Sequence, residues 1–218
     1  MGTIDLHCER GGPDFWAEPV NALTNGAFFV TAWAIWRLAR RTGTLSPGIR
    51  LLIATSVAIG VGSVLFHTLA IGWAERLDVG PVLVFQLLFL WLYLRRVAGV
   101  GRPAAGLPLA AFFAASDVSR RFPMALNGSL MYAPAFVTVL ALASYHAATV
   151  TRGRFDLLLV AAGLAVALAF RTLDNAICGG VPIGSHFLWH LTNGAVFYLA
   201  ARTLIRQQPD RNARAASP

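Results

Sequence analysis

Leu51-Leu-Ile-Ala-Thr-Ser-Val-Ala-Ile-Gly-Val-Gly-Ser63-Val-Leu-Phe-His67-Thr-Leu-Ala-Ile71 runs for twenty-one residues without an Asp, Glu, Lys or Arg. As a helix it rises about 30 Å, the depth of a bilayer's hydrocarbon core. Outward from it, further apolar runs recur near residues 22–38, 79–94, 104–118, 129–148, 155–173 and 183–205. The run at 104–118 is the shortest and contains Pro108. Of the 218 residues 56% are hydrophobic and only 13% charged, against about 25% charged in soluble domains. The expected fold is an all-α membrane protein, a bundle of seven transmembrane helices.

The net charge is +8, and all 18 basic residues are arginine. They cluster at the ends of the apolar runs, which suits topology signals and lipid headgroups rather than nucleic acid, so no nucleic-acid partner is expected. With seven spans, five arginines fall on the N-terminal side and thirteen on the other. The positive-inside bias therefore places the N-terminus outside and the C-terminus in the cytoplasm. The start of the chain carries Asp5, Glu9, Asp14 and Glu18 against one arginine, Arg10, the reverse of a cleavable secretory signal. Three regions are expected: an acidic extramembrane segment at 1–21, the helical domain at 22–205 and a polar tail at 206–218. Oligomeric state leaves no trace in the sequence. Trp16, Trp33, Trp36, Trp73 and Trp91 fall near predicted interfaces, as anchors do.

Polar residues inside spans carry the functional signal, because they are costly there. In Ser185-His186-Phe-Leu-Trp-His190 the two histidines lie four apart, on one helix face. Ser63 and His67 repeat that spacing in the second span. Counting from the outer ends of their spans, His67 lies about 6 Å deep, His186 about 5 Å and His190 about 10 Å. Asp78 is expected at the outer start of the third span, after a short loop carrying Trp73, Glu75 and Arg76. Three imidazoles with one open position make a catalytic rather than a structural zinc arrangement. Zinc lowers the pKa of a bound water to about 7 and so yields a nucleophile at neutral pH. Phe187 stands where zinc-protease helices carry a glutamate, so the base must come from elsewhere, and Asp78 is the best-placed candidate. Ser63 is placed to donate to an oxyanion. The rival for each histidine taken alone is a hydrogen-bonded contact between helices, and for Ser63 a small residue at a helix crossing. His7 and His146 share no such convergence and read as structural. Asp174 and Asn175 either orient a ligand histidine or simply close the sixth helix.

Ser63-Val-Leu-Phe66-His67 through Asp78, together with His186-Phe-Leu-Trp-His190, resembles the alkaline ceramidase family. So does the N-terminal stretch with Asp5-Leu-His-Cys8-Glu9-Arg10, Ala17-Glu18-Pro19 and Asn21-Ala-Leu-Thr-Asn25, whose Cys-Glu-Arg and Ala-Glu-Pro signatures are those of bacterial members. That family sits in a superfamily of seven-helix membrane hydrolases that includes the adiponectin receptors. The resemblance spans nearly the whole chain and implies an intramembrane zinc amidase, a ceramidase that cleaves ceramide to sphingoid base and fatty acid. His67, His186 and His190 would bind zinc, Asp78 would activate water and Ser63 would hold the oxyanion. The implied location is a bacterial inner membrane with the site toward the periplasm, and the implied partner a membrane lipid. The alternative is a zinc-stabilised, lipid-responsive receptor without turnover. The resemblance also implies a calcium site, for which Asp5, Glu9 and Glu18 match acidic positions, Asp5 only after a one-residue insertion. Cys8 and Cys178 both fall on the outer side, where a disulfide or two free thiols are compatible with the residues alone; the resemblance supports the bridge.

Overall fold

A computed structural model describes residues 3–208. Its elements are α1 (Pro19–Thr24), α2 (Gly26–Arg41), α3 (Pro47–Leu69), α4 (Gly72–Arg96), α5 (Arg102–Arg120), α6 (Ala133–Thr149) entered through a 3₁₀ turn at Ser129–Tyr132, α7 (Asp156–Leu173) and α8 (His186–Arg206). All are helical, and the seven long ones match the seven apolar runs one for one. Proline opens α1, α3, α5 and α6, where its missing N–H has no intrahelical partner to lose.

Two boundaries depart from expectation. The first run divides at Asn25 into α1 and α2. The second departure matters for the site: the loop expected to carry Trp73 through Asp78 is helical, and only Ala70 and Ile71 separate α3 from α4. Charged residues end a membrane span but not a helix. Glu75 in the first turn of α4 favours the helix N-terminus electrostatically. Asp78 is therefore held on a rigid element, two turns in.

Four segments are long and apolar enough to cross a membrane: Pro47–Leu69, Gly72–Arg96, Ser129–Thr149 and Asp156–Leu173. Of the other long helices, α2 has 16 residues, α5 carries charges near both ends, and α8 is diluted by His186, His190 and Asn193. Leu23, Leu107, Phe113, Val137 and Leu159 are each more than half exposed, an apolar surface consistent with an integral membrane protein. Arg37, Arg40 and Arg95 lay their guanidinium groups over Trp33, Trp36 and Trp91 at the C-terminal ends of α2 and α4, where amphipathic side chains suit a membrane interface.

The core runs through Ile35, Leu52, Ile59, Phe85, Tyr93, Leu157 and Phe197. The helix α8 is its hub, packing on α7, α2, α4 and α3. The helices α3 and α4 make the tightest crossing, at Gly62, where a Cβ would collide with the Leu77 carbonyl and stand 3.1 Å from the Asp78 nitrogen. Pro81 explains which carbonyl is met there. It lies four residues after Leu77 and brings no N–H, so the Leu77 oxygen has lost its helical partner, and the bare backbone of Gly62 fits against it. This contact sets Ser63, the next residue of α3, beside the Asp78 turn of α4.

Candidate metal centre

Three helix-borne histidines meet at one end of the bundle. His67 comes from the last turn of α3; His186 opens α8, and His190 follows one turn later. All three are buried. Their ring centroids are 4.8 Å apart for His67–His190, 4.7 Å for His186–His190 and 5.3 Å for His67–His186. Imidazoles sharing one tetrahedral zinc at about 2.0–2.1 Å stand roughly 5 Å apart by this measure.

The surroundings fix which nitrogen each ring offers. His67 Nδ1 lies 2.6 Å from Glu18 Oε2. A carboxylate only accepts, so Nδ1 donates and Nε2 keeps its lone pair. The Thr24 hydroxyl gives its proton to the Val20 carbonyl, 2.8 Å away, and lies 3.0 Å from His190 Nδ1. It therefore accepts from His190, which again leaves Nε2 unprotonated. His186 Nδ1 is buried without a hydrogen-bond partner. Buried ring nitrogens are seldom left unpaired without a ligand to explain them.

Glu18 is the organising residue of the N-terminal segment. Burial pushes its carboxyl pKa up, but the hydrogen bond from His67 and the nearby His7 ring outweigh burial and hold it well below the ordinary carboxylate range. Arg10 Nε donates to Glu18 Oε1, Arg10 Nη2 to the His67 carbonyl at 2.9 Å and Nη1 to the Gly12 carbonyl at 3.1 Å. Arg10 and Glu18 together clamp His67 by its ring and its backbone.

Glu9 accepts from the backbone nitrogens of Val20 and Asn21 at 2.6 and 2.8 Å, which satisfies the free donors at the start of α1. Asp5 lies apart, beside Asn127, Arg171 and Asn175. Glu9 and Glu18 are thus committed to helix and histidine, and among the described residues Asp5, Glu9 and Glu18 do not gather into a ligand set for calcium.

Asp174 resolves the choice left open by sequence. Its Oδ1 accepts from the nitrogens of Ser185 and His186 at 2.7 and 2.8 Å, and its Oδ2 from Cys8 N at 3.0 Å. It closes α7, caps α8 at its first histidine and ties both to the N-terminal segment. Cys8 and Cys178 are bridged beside it. Asn175 donates to the Leu6 carbonyl and to Asn127 Oδ1 and is hydrogen-bonded to no histidine among the described residues.

Ser63, Asp78 and His190 line one cleft open to the outside, with Asn193 beside them and Phe85, Phe112 and Leu142 among its apolar walls. Ser63 is buried and Asp78 half-buried. Its lining is mostly apolar, with polar groups confined to a few positions, as in sites that bind apolar ligands.

One expectation fails here. His7 does converge on the centre. Its ring lies 3.8 Å from His186 and 4.9 Å from His67 between centroids. Nitrogens of His7, His67 and His186 lie within 4.8 Å of one another, a group suited to holding a metal ion. The signal in the sequence was its place directly before Cys8; without the bridge in hand, an irregular segment has no period from which a facing direction can be read. Arg10, in the same irregular segment, was missed for the same reason.

The ceramidase family model matches residues 12–215. The chain belongs to the ceramidase family. Membership implies a hydrolase acting on amide bonds, with a lipid substrate and a place at the membrane. The matched stretch includes Ser63, His67, Asp78, His186 and His190, while His7, Cys8 and Arg10 precede it. No curated protein matches the chain significantly.

Proposed function

We propose that this ceramidase-family protein is an intramembrane zinc-dependent hydrolase of a lipid amide, cleaving ceramide or a related N-acyl lipid to an amine and a fatty acid. The observation that carries the reading is the meeting of three buried imidazoles at 4.7–5.3 Å, two of them with Nε2 left unprotonated by Glu18 and Thr24. The donor set fits zinc: neutral nitrogen ligands, buried, each with a ring nitrogen to offer. His67, His186 and His190 would hold the ion. Bound there, zinc supplies Lewis-acid polarisation of the amide carbonyl and a more acidic water.

The protein's own residues do the rest. Asp78, on the cleft wall, takes the proton from the attacking water and passes it to the leaving amine nitrogen. Ser63 Oγ donates to the oxygen of the tetrahedral intermediate. The apolar walls from Phe85 to Leu142 hold the acyl chain and keep bulk water away from the carbonyl. Seven spans, with the N-terminus outside and the histidine end toward the periplasmic face of a bacterial inner membrane, complete the reading. The Arg–Trp pairs at the opposite end support that orientation, because basic anchors mark the cytoplasmic side.

The test is release of product from labelled ceramide by purified protein. Wild type is expected to turn over; Asp78→Asn is expected to retain fold and metal and lose about 10²- to 10⁴-fold in rate. Equal turnover by the variant would remove Asp78 from the chemistry. Metal-loaded wild type inert on every lipid amide would favour the receptor reading instead.

A further inference from the structure

His7 is the one member of the histidine cluster that neither helical spacing nor the family match accounts for. It is 6% exposed, and neither ring nitrogen has a hydrogen-bond partner. Nδ1 stands 3.2 Å from Glu18 Oε2, close enough for an ionic contact but without hydrogen-bond geometry. A buried imidazole with both nitrogens unpaired is rare unless a ligand takes one of them.

Its position is fixed from both sides. Ile4 N donates to the Ala70 carbonyl at 2.7 Å and Arg10 N to the His7 carbonyl at 3.1 Å. The next residue, Cys8, is bonded through its nitrogen to Asp174 and through sulfur to Cys178. Asp174 in turn holds the nitrogen of His186. One carboxylate thus registers the N-terminal segment and the first helix-borne histidine against each other, which holds the His7 backbone at the centre and leaves its side chain free to turn.

We propose that His7 is a fourth metal ligand, carried by the N-terminal segment and delivered to the centre of His67, His186 and His190 by the Cys8–Cys178 tie. The proposal rests on the metal reading given above. Four neutral imidazoles fill a tetrahedral zinc, so His7 in place closes the position that substrate or water needs, and the open centre is the one from which His7 has withdrawn. The ring now leans on His186 at 3.8 Å between centroids and 33° between planes, closer and flatter than two ligands of one ion, so ligation asks it to tilt and move apart from His186. No hydrogen bond from the ring among the described residues opposes that tilt.

The probe is cobalt(II) loaded into the purified full-length protein in place of zinc, read by its visible absorption, together with zinc affinity by chelator competition. His7→Ala and the near-isosteric His7→Gln are both expected to change the cobalt bands and to weaken zinc by more than about 100-fold, beyond the ~10- to 100-fold that loss of an outer hydrogen bond to a ligand costs. The pair Cys8→Ser with Cys178→Ser is expected to move both readouts the same way by less. Zinc-edge X-ray absorption on wild type, which requires no variant to fold, counts four imidazoles if His7 binds and three if it only packs. Cobalt bands and zinc affinity unchanged in His7→Gln would overturn the proposal while leaving the three-histidine centre standing. Wild type that takes up no cobalt or zinc would overturn both.

Discussion

Histidine is buried at both ends of this bundle, and the two ends use it differently. At one end, the Tyr93 hydroxyl lies 3.0 Å from His146 Nδ1, and His146 Nε2 lies 3.2 Å from the Gly153 carbonyl. The carbonyl can only accept, so Nε2 donates and Nδ1 accepts from tyrosine. Every polar atom of that ring is satisfied, and it asks for nothing more. At the other end four imidazoles gather, with Nε2 of His67 and His190 hydrogen-bonded to no described residue and nitrogens of His7 and His186 buried without a partner. The lesson is that burial does not distinguish a structural histidine from a ligand; the saturation of its second nitrogen does.

The hardest way to break that contrast is to exchange the fates of the two ends. His186→Ala is expected to weaken zinc binding sharply and to lose all measurable hydrolysis, since it removes one of the three helix-borne ligands. His146→Ala is expected to keep both and to lower stability by about 1–3 kcal/mol, from the hydroxyl and carbonyl it strands. Metal content and thermal melting of the two variants decide it, and loss of zinc from His146→Ala would erase the distinction.

Ser63→Ala comes next. It is expected to slow turnover by about 10²- to 10³-fold with zinc content unchanged, as loss of one oxyanion donor does elsewhere. A fall in zinc content instead would mean that the serine shapes the helix crossing rather than the reaction. Glu18→Gln sharpens the orientation argument. It keeps the volume and removes the charge that fixes the His67 tautomer, so zinc affinity should fall by about 10- to 100-fold. Thr24→Val should have the smallest effect, under about tenfold, because a neutral hydroxyl orients His190 less strongly than a carboxylate orients His67. If Thr24→Val proved the more damaging of the two, the ranking of the two supports would be reversed.

The features legible in the sequence were periodic ones. The i, i+4 pairs Ser63/His67 and His186/His190, and their counted depths, anticipated three rings that the fold brings within 4.7–5.3 Å. Apolar runs marked the ends of the seven long helices to within about four residues, except at the start of α4. What escaped was non-periodic. Asp78 was expected at the mouth of a span because charge was taken as a helix boundary, whereas α4 begins at Gly72 and carries the charges within it. The resemblance matched Glu18 to a calcium-site position, whereas in the fold it lies hydrogen-bonded between Arg10 and His67. The approach of Gly62 to Leu77 needs two helices at once: the glycine is visible in α3, and the reason for it, Pro81, is visible only in α4.

The central claim is that the unsaturated cluster holds a metal ion and the saturated histidine does not. Metal analysis of the purified wild-type protein tests this most directly, beside His67→Ala and His146→Ala prepared in the same way. Stoichiometric zinc in wild type and in His146→Ala, and its loss from His67→Ala, is the predicted result. Wild type without bound zinc, or His67→Ala retaining it in full, would contradict the account.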